Sequence, residues 1–568
     1  MAQKKQKQDD SYWLDRGIKQ EKRINDAAQK VEQKVISAYC QAQSYLTRQT
    51  RNLFNRAKQR SGMDEEETRA LLNQPVQPDE LVELRKLADD VSNPDLQASA
   101  RKRLNGLAFK ERITRAEDLK AKSFLVSKQI ADVQLEKSTE FYIDVIHDSY
   151  NETTAEAVIQ QIEQAKNDSI INVWDDQKYD SQIETFRQAQ KRGVPIEVWN
   201  DPKNRSNDYE FKELSTKYTK NILDSHWHGS NYSKRIWKDT EALAKRLEEL
   251  FTVESMTGMS EFEMAKAIAA EFDRSIGVAQ RLIRTEANYM ANQAKLKAWR
   301  DRGVREYRLI AVLDFRTSKI CQGKDGKIYL VSEAVVNGAA GTYPPFHPWC
   351  RTIAVAYIGK RSLTGKRTAN DPISGKTMTI EQRDTYDDWM KKLKENYSDE
   401  EIEVQKKKIQ NRKKDTTDLK RLKETIGEEY SPKILDEYQD IKYNNDKKWN
   451  DIKRTYGDVK RMKNSFNNYE VLNKSDKIRK LPVESKPNSV KDFFIGETLE
   501  QRRYYGKTGK PRKDIDYSNH GNEKLHPDVP HVHDWTSYER GKKAIISRSK
   551  DRARNISEKI VDDWRDKK

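Results

Sequence analysis

The chain has 568 residues, of which 35% are hydrophobic and 35% charged, and its 108 lysines and arginines exceed its 91 acidic residues to give a net charge of +17. This length excludes one compact globule and predicts about four domains, while a mean hydropathy of -1.02 predicts that much of the chain is solvated helix or extended arm. Three cysteines exclude a disulfide framework, and no window approaches the roughly eighteen apolar residues that a membrane span needs.

The amino-terminal region, residues 1–225, is predicted to be helical. Its first helix is amphipathic, because apolar side chains recur there at intervals of three and four, and Asn93 before Pro94 is typical of a capped helix start. The predicted helices cover residues 12–58, 63–72, 79–88, 97–133, 153–166 and 177–191, and a polar, loop-like stretch follows from 200 to 232. No apolar stretch follows the basic first residues, so we expect no secretory signal and synthesis in a reducing cytoplasm.

The central region, residues 226–360, is predicted to be a small α+β domain. After a helix over 236–251, Ser260 with Glu263 three residues later starts a second helix. The expected apolar face of that second helix consists of Phe262, Ala265, Ala269 and Phe272. A third helix over 278–302 ends at Gly303, as a left-handed helix terminus favours. Three strands, at residues 307–313, 327–330 and 352–357, are predicted to form a small antiparallel sheet.

The remaining chain divides into a charged helical extension, residues 361–480, a linker with two prolines, residues 481–490, and a histidine-rich module, residues 491–568. The helical spacing of Trp449, Ile452 and Tyr456 favours packed helices in the extension. A basic amphipathic helix is expected over 535–563. The predicted fold is therefore mainly α with a small α+β central domain: an elongated multi-domain chain with a long helical amino-terminal region and a separate carboxy-terminal module.

An ordered set of motifs lies in the central region. It consists of Arg281-Leu-Ile-Arg284-Thr285-Glu286, Asp314-Phe-Arg316-Thr317, Cys321, and Pro344-Pro345-Phe346-His347-Pro348-Trp349-Cys350-Arg351. This set resembles the Mu F-like head-morphogenesis family of tailed bacteriophages, also called minor head or minor capsid proteins. The resemblance extends outward through 227–237 and 385–389. It implies a structural and morphogenetic role, with Arg284, Thr285, Glu286, Asp314, Arg316 and Arg351 at the structural centre of the domain.

Cys321, His347 and Cys350 supply two thiolates and one imidazole, which are ligands that tetrahedral zinc prefers. A fourth ligand is needed. Family members often have further cysteines where this chain has Ser318 and Thr352, and Asp314 is a possible replacement. The alternative is a metal-free knuckle in which the cysteines are small buried residues held by hydrogen bonds from Asp314 and Arg316.

Glu286 beside two arginines invites a catalytic interpretation. However, Arg281, Arg284 and Glu286 fall on one helix, and ion pairs with the Asp314–Arg316 turn explain them structurally. No general-base partner, phosphate loop or nucleophile elbow accompanies them. We therefore predict that the core domain is not an enzyme.

The terminal module concentrates half of the chain's eight histidines within fourteen residues. His531 and His533 share a face if this segment is extended, and Asp516 and His520 could lie alongside, which makes metal binding or acid–base chemistry possible. Some relatives of the resembled family fuse a toxin-like nuclease to the head domain. The alternative is a folded surface module whose histidines satisfy backbone groups.

Two functions follow as expectations. The first is a minor head protein that lies inside the virion near the portal and is made in the bacterial cytoplasm. Its expected partners are the portal protein, the major capsid or scaffolding protein, and packaged double-stranded DNA, which it contacts non-specifically. No membrane contact is expected. The second is a phage-borne effector whose terminal module is a toxin-like nuclease carried by the head domain. Zinc is the only cofactor that the residues suggest.

Overall fold

Helices dominate the first two-thirds of the chain in the computed structural model. The structure describes residues 11–57, 63–167, 213–357 and 366–566, apart from positions 79, 109, 111, 228, 476, 520, 525, 527, 541 and 542. The predicted helix over 177–191 and the predicted site residue His520 lie outside the described residues. The chain divides into two units, Met1–Glu395 and Asn396–Lys568, and each is described by itself.

Four long helices build the frame of the first unit. They are Ser11–Arg56, Arg115–Asn167, Tyr232–Leu250 and Glu261–Asp301, and they pack against one another. The predicted stripe of the first helix is buried at Ala28, Val35 and Tyr39, so the three-to-four spacing identified this helix correctly. Shorter helices at Glu65–Leu72, Glu80–Asp89, Pro94–Ala108, Thr216–Asp224 and Val253–Met256 lie between these four in the sequence.

The predicted helix boundaries between 97 and 166 are wrong. One helix ends at Ala108, and the next runs without interruption from Arg115 to Asn167. A reciprocal cap explains the new start: the Thr114 N–H donates to the Glu117 carboxylate at 2.9 Å, and the Glu117 N–H donates to the Thr114 hydroxyl at 3.3 Å. The helix Thr216–Asp224 also replaces part of the predicted loop.

The two helices predicted after Ser260 are one helix, Glu261–Asp301, and the Ser260 capping box is confirmed. Its predicted apolar face is wrong at Phe262, which is 76% exposed, whereas Met264, Ile268 and Phe272 are buried. A single glycine at 277 does not end the helix, because one interior glycine costs only about 1 kcal/mol. Gly303 follows with φ of 65°, as predicted.

The small antiparallel sheet is confirmed. Its strands are β1, Glu306–Ile310, β2, Ile328–Leu330, and β3, Ile353–Tyr357, in the order β2-β1-β3. A separate hairpin, β4, Lys366–Asn370, and β5, Thr377–Glu381, precedes the helix Tyr386–Lys394. A short helix, Lys319–Gln322, and the turn before β3 carry the cysteines and histidine.

The second unit combines helices with a large sheet. The predicted helices of the charged extension are present as Asp399–Ile426, Leu435–Asn444 and Asp446–Ser465. The strands are β6, Tyr469–Asn473, β7, Val490–Ile495, β8, Thr498–Tyr505, β9, Pro511–Asp516, β10, His531–Arg540, β11, Lys543–Arg548, and β12, Arg552–Ala553. Their order is β11-β10-β9-β8-β7-β6, with β12 paired to β10. One face, with Val490, Tyr504, Ile515 and Val532, packs in an apolar cluster with the helices.

The helix predicted over 535–563 is wrong. His531–Arg540 and Lys543–Arg548 pair as the antiparallel strands β10 and β11, and a helix begins only at Ile556 and ends at Asp566. The aromatic and β-branched residues Trp535, Thr536 and Tyr538 favour a strand there. The predicted mainly α class with a separate sheet-containing module is confirmed. Among the described residues, no helix is both long enough and apolar enough to cross a membrane.

The five-part division of the chain stays a prediction. β6 lies in the predicted extension but pairs in parallel with β7 of the predicted terminal module. Leu481, in the predicted linker, is buried, and its carbonyl accepts a hydrogen bond from Arg503.

Candidate functional sites

The structure brings together Cys321, His347 and Cys350, the predicted zinc ligands, and we call this group the knuckle. The Sγ of Cys321 lies 3.0 Å from Nε2 of His347 and 3.8 Å from Sγ of Cys350. His347 Nδ1 donates to the Pro348 carbonyl at 2.7 Å, which turns Nε2 toward the cysteines. The knuckle is therefore formed by the short helix after β1 and the proline turn before β3.

The knuckle side chains satisfy one another by hydrogen bonding. The Cys350 thiol donates to Cys321, and this hydrogen bond together with that from His347 lowers the pKa of Cys321 despite burial. The same thiol contact and burial raise the pKa of Cys350, and the contact with Cys321 raises the pKa of His347. The group can thus exist as a thiolate at Cys321 beside a protonated His347.

The ligand spacing also fits zinc at this position. The three ligand atoms lie within 4.8 Å of one another, and two thiolates on one tetrahedral zinc are about 3.8 Å apart at ordinary Zn–S lengths, as the two sulfurs are. Asp314 is directed elsewhere: its carboxylate accepts two hydrogen bonds from Arg351, at 2.6 and 2.7 Å. Ser318, whose hydroxyl is 2.8 Å from His347 Nε2, is the nearer oxygen.

The Asp314–Arg351 pair fixes the loop after β1 to the turn before β3. Thr317 donates to Asp314 at 3.0 Å, and the Tyr386 hydroxyl donates to the Asp314 carbonyl at 3.1 Å. Burial opposes ionisation of Asp314, but the Arg351 guanidinium outweighs it and lowers the pKa of this carboxyl. Arg316 is mostly exposed and lies 3.6 Å from the same carboxylate, so it is peripheral to this contact.

The predicted ion pairs between the Arg-Thr-Glu helix and the Asp314 turn are wrong. Glu286, 1% exposed, accepts hydrogen bonds from Trp227 at 3.0 Å and from Arg235. Arg284 pairs instead with Glu32 on the first helix, with Nη2 at 3.1 Å. Helix faces explain the error, since these side chains project toward neighbouring helices that sequence spacing does not reveal.

Thr285 is the residue of this motif that contacts the knuckle turn. Its hydroxyl accepts the N–H of Trp349 at 3.1 Å, and Arg284 lies over the Trp349 ring at 5.5 Å. Trp349 has φ of 63°, a conformation that costs on the order of 1–3 kcal/mol for such a residue. Thr285 and Arg284 thus hold a strained turn against the helix.

Trp227, Arg235 and Glu32 were missed as site residues. Trp227 and Arg235 lie within the outer motif at 227–237, so that motif was the signal that could have identified them. Glu32 carried no signal of its own, because it lies about 250 positions from its partner.

In the second unit, β9 and β10 bring Asp516, His531 and His533 together, as predicted for an extended segment. We call Asp516, His526, His531 and His533 the histidine pocket. Asp516 lies opposite His531 in the antiparallel register. The Asp516 Oδ2 is 3.6 Å from Nε2 of His531 and 3.5 Å from Nε2 of His533. These three side chains are buried.

Polar residues on the same sheet face surround the pocket. Gln501 donates to Asp516 at 2.7 Å, and Arg548 donates to the other oxygen of that carboxylate. Asp514, opposite His533 in the register, is held by two hydrogen bonds from Arg503 at 2.7 and 2.8 Å. The sheet therefore has an apolar face toward the helices and a buried polar face that carries the pocket.

His526, Arg548 and Asp514 were not among the predicted site residues. His526 lay in the quoted histidine segment, but its contribution depends on a loop whose path the sequence does not fix. Arg548 was assigned to a predicted helix, which concealed its position on β11.

Residues 245–355 match the family model described as Phage Mu protein F like protein. The matched segment contains Arg284, Glu286, Asp314 and the whole knuckle, whereas the histidine pocket lies outside it. The resemblance stated from the motifs is thereby confirmed for this region. Comparisons with curated proteins and with solved structures found no match.

Proposed function

We propose that this bacteriophage chain, with its Mu F-like region at 245–355, is a minor head protein that joins the procapsid during assembly near the portal vertex. The family match supports a head-morphogenesis protein and a virion component. The position near the portal, inside the capsid and beside packaged DNA, is the further step that we propose.

The observation that carries this function is how the polar residues of the matched region are used. Glu286 is occupied by Trp227 and Arg235, and Asp314 is occupied by Arg351. A catalytic carboxylate needs a reacting atom within reach and a partner group for proton transfer. These carboxylates join helices and turns instead, which supports a structural and docking role.

Particle fractionation tests this function. The protein should co-purify with procapsids or portal protein, and intact particles should protect it from added protease. Recovery only in the particle-free fraction, with heads that assemble normally in its absence, would contradict the proposal. Arg69→Ala serves as a control for the effect of substitution itself. Arg69 forms an exposed i,i+4 pair with Glu65, so this variant should enter particles at the wild-type level.

The proposed DNA contact is electrostatic. A net charge of +17 favours a polyanion through counterion release, and no groove-reading motif is visible in the sequence. Binding of the full chain to duplex DNA should be weak, independent of sequence and lost as salt rises to physiological levels. Tight binding at high salt, or preference for one sequence, would contradict this contact.

We also propose that the knuckle binds zinc through Cys321, His347 and Cys350. Elemental analysis of the purified chain should find zinc, and a chelator should lower the melting temperature. The double variant Cys321→Ser/Cys350→Ser should lose that metal, while Cys40→Ser, at an exposed cysteine, should retain it. Absence of metal from the chain with an unchanged melting temperature would leave the hydrogen-bonded knuckle as the correct description.

A second function rests on a separate observation, the convergence of two histidines, a carboxylate and Arg548 in the second unit. An imidazole pair beside a guanidinium can transfer protons and stabilise a phosphate, which is the chemistry of a ribonuclease-like module. The full chain, incubated with RNA or DNA, should then degrade it, and His533→Gln should abolish cleavage while His226→Ala, an exposed histidine, should not. Intact substrate in both samples would rule out this effector function.

A further inference from the structure

We propose that the second unit contains a divalent transition-metal site in which His526, His531 and His533 are the ligands and Asp516 is the anion that faces the same space. This site is independent of the head function and of the knuckle, and although it shares His531, His533 and Asp516 with the proposed effector function, its test measures metal binding and not cleavage. It differs from the sequence prediction by including His526 from the loop before β10.

Strand geometry places two of the ligands. His531 and His533 are alternate residues of β10, so their side chains project to the same face. Their rings lie 5.2 Å apart between centroids, and the ring of His526 stacks on His531 at 4.7 Å. One ring nitrogen from each of the three histidines lies within 4.8 Å of those of the other two.

The outer hydrogen bonds set the tautomer of each ring. His531 Nδ1 lies 3.0 Å from the Asp528 carbonyl, and His533 Nδ1 lies 2.8 Å from the Ser549 carbonyl. A carbonyl only accepts, so each Nδ1 must carry the proton and each neutral ring keeps its lone pair on Nε2. His526 Nδ1 lies 3.1 Å from the Asp551 carboxylate in the same way. Metal-binding histidines are oriented by this kind of contact, Nδ1–H to a carbonyl or a carboxylate.

Electrostatics then favours a cation in the pocket. Nε2 of His531 and Nε2 of His533 face the Asp516 carboxylate, at 3.6 and 3.5 Å, across one space. Arg548 supplies one positive charge to Asp516 from β11, on the other side of β10. A metal ion in the same space would add a second positive charge and would be coordinated by the electron-rich ring nitrogens.

The ligand type selects the class of ion. Imidazoles suit zinc, cobalt, nickel, copper and iron, whereas magnesium and calcium require oxygen ligands. Ring nitrogens on one tetrahedral zinc lie about 3.4 Å apart at ordinary Zn–N lengths, and the three ring nitrogens here lie within 4.8 Å of one another. His526 is on the loop side and is partly exposed, which gives an ion a route to the buried pair.

Metal titration of the full chain tests this site with Zn²⁺ and Co²⁺ as probes. Co²⁺ held by cysteine shows thiolate-to-metal charge-transfer absorption, whereas Co²⁺ held by imidazoles does not, so the two candidate sites are distinguished in one sample. We expect a cobalt spectrum without the thiolate band that persists in Cys321→Ser/Cys350→Ser. That spectrum should be lost in His526→Ala, at a partly exposed position, and should be retained in His226→Ala.

A positioning variant sharpens the test. Asp551→Asn keeps the shape of the residue that orients His526 and should weaken metal affinity by about 10–100-fold, as loss of an outer hydrogen-bond partner does at metal sites. If the His526–Asp551 pair plays no part in metal binding, Asp551→Asn will bind the metal with wild-type affinity. The proposal is overturned if the wild-type chain shows only the thiolate-linked cobalt spectrum, or if His526→Ala binds Zn²⁺ and Co²⁺ with wild-type affinity and stoichiometry while circular dichroism shows it folded.

Discussion

The knuckle and the histidine pocket each bring three ligand side chains within the same span of 4.8 Å, but their hydrogen bonds differ. In the knuckle, Cys321 lies within hydrogen-bond distance of both His347 and Cys350, so the three side chains bond one another. In the pocket, hydrogen bonds at Nδ1 of His531 and His533 direct their other nitrogens toward a buried carboxylate. The distance between candidate ligand atoms is therefore less informative about metal binding than the direction in which outer hydrogen bonds turn each side chain.

The largest effect is expected from removing the knuckle. The double variant His347→Ala/Cys350→Ala should destabilise the first unit by several kcal/mol, because it removes two interacting side chains of a turn that links β3 to the rest and leaves Cys321 without those partners. Denaturant unfolding followed by circular dichroism measures this loss. Cys40→Ser, at an exposed position, is the control, and an equal effect of the two variants would show that the knuckle is not a structural centre.

The next effect concerns the face of the large sheet opposite the histidine pocket. Arg502, 4% exposed, donates to Asp492 at 2.7 and 2.8 Å and to Asp562 at 2.8 Å. Arg502→Ala should cost about 3–5 kcal/mol, because it leaves the buried Asp492 without this cation and leaves Asp562 with Arg554 as its remaining arginine. Arg454→Ala, which breaks only an exposed i,i+3 pair, should cost less than about 0.5 kcal/mol. If the histidine pocket depends on these ion pairs of Arg502, the Arg502→Ala variant will lose metal binding in proportion to its unfolded fraction.

The Arg235–Glu286 pair should respond asymmetrically to the loss of one partner or the other. Arg235→Ala leaves Glu286 buried and charged and should cost about 3 kcal/mol. Glu286→Gln should cost less, because burial raises the pKa of Glu286 despite Arg235, so this variant removes a charge that burial already disfavours. Thermal unfolding of both variants at neutral pH measures the difference. A greater loss for Glu286→Gln would mean that the charge itself holds the helices together.

The smallest effect is a pH dependence at Asp314. Its folded pKa lies below the ordinary value of 3.8, because Arg351 outweighs the effect of burial. The contribution of such an acid is present above the unfolded pKa and is lost as pH falls through the lower folded value. Asp314→Asn should therefore cost about 2 kcal/mol near neutral pH, and the gap to wild type should shrink below pH 3.8. Parallel stability curves for the two proteins would show that the Arg351 pair contributes nothing.

Local sequence determined several elements on its own. The apolar spacing of the first helix, the Ser260 capping box, Gly303 after the helix Glu261–Asp301 and the three strands of the small sheet were all predicted from neighbouring residues. The ordered motifs also identified the Mu F-like region, which contains the knuckle residues. These features depend on contacts between residues that are close in the sequence, or on motifs that can be recognised directly in it.

Tertiary structure alone decided the partners of those residues. Arg284 binds Glu32, Glu286 binds Arg235, and Arg548 reaches Asp516, and none of these pairings follows from sequence spacing. The continuous helix to Asn167 and the β10–β11 hairpin also escaped prediction, because a cap formed by two side chains and the pairing of strands outweighed local composition. The sequence specified which chemical groups were present, whereas the packing of helices and the register of strands decided which of them meet, since side-chain pairing depends on distance in space.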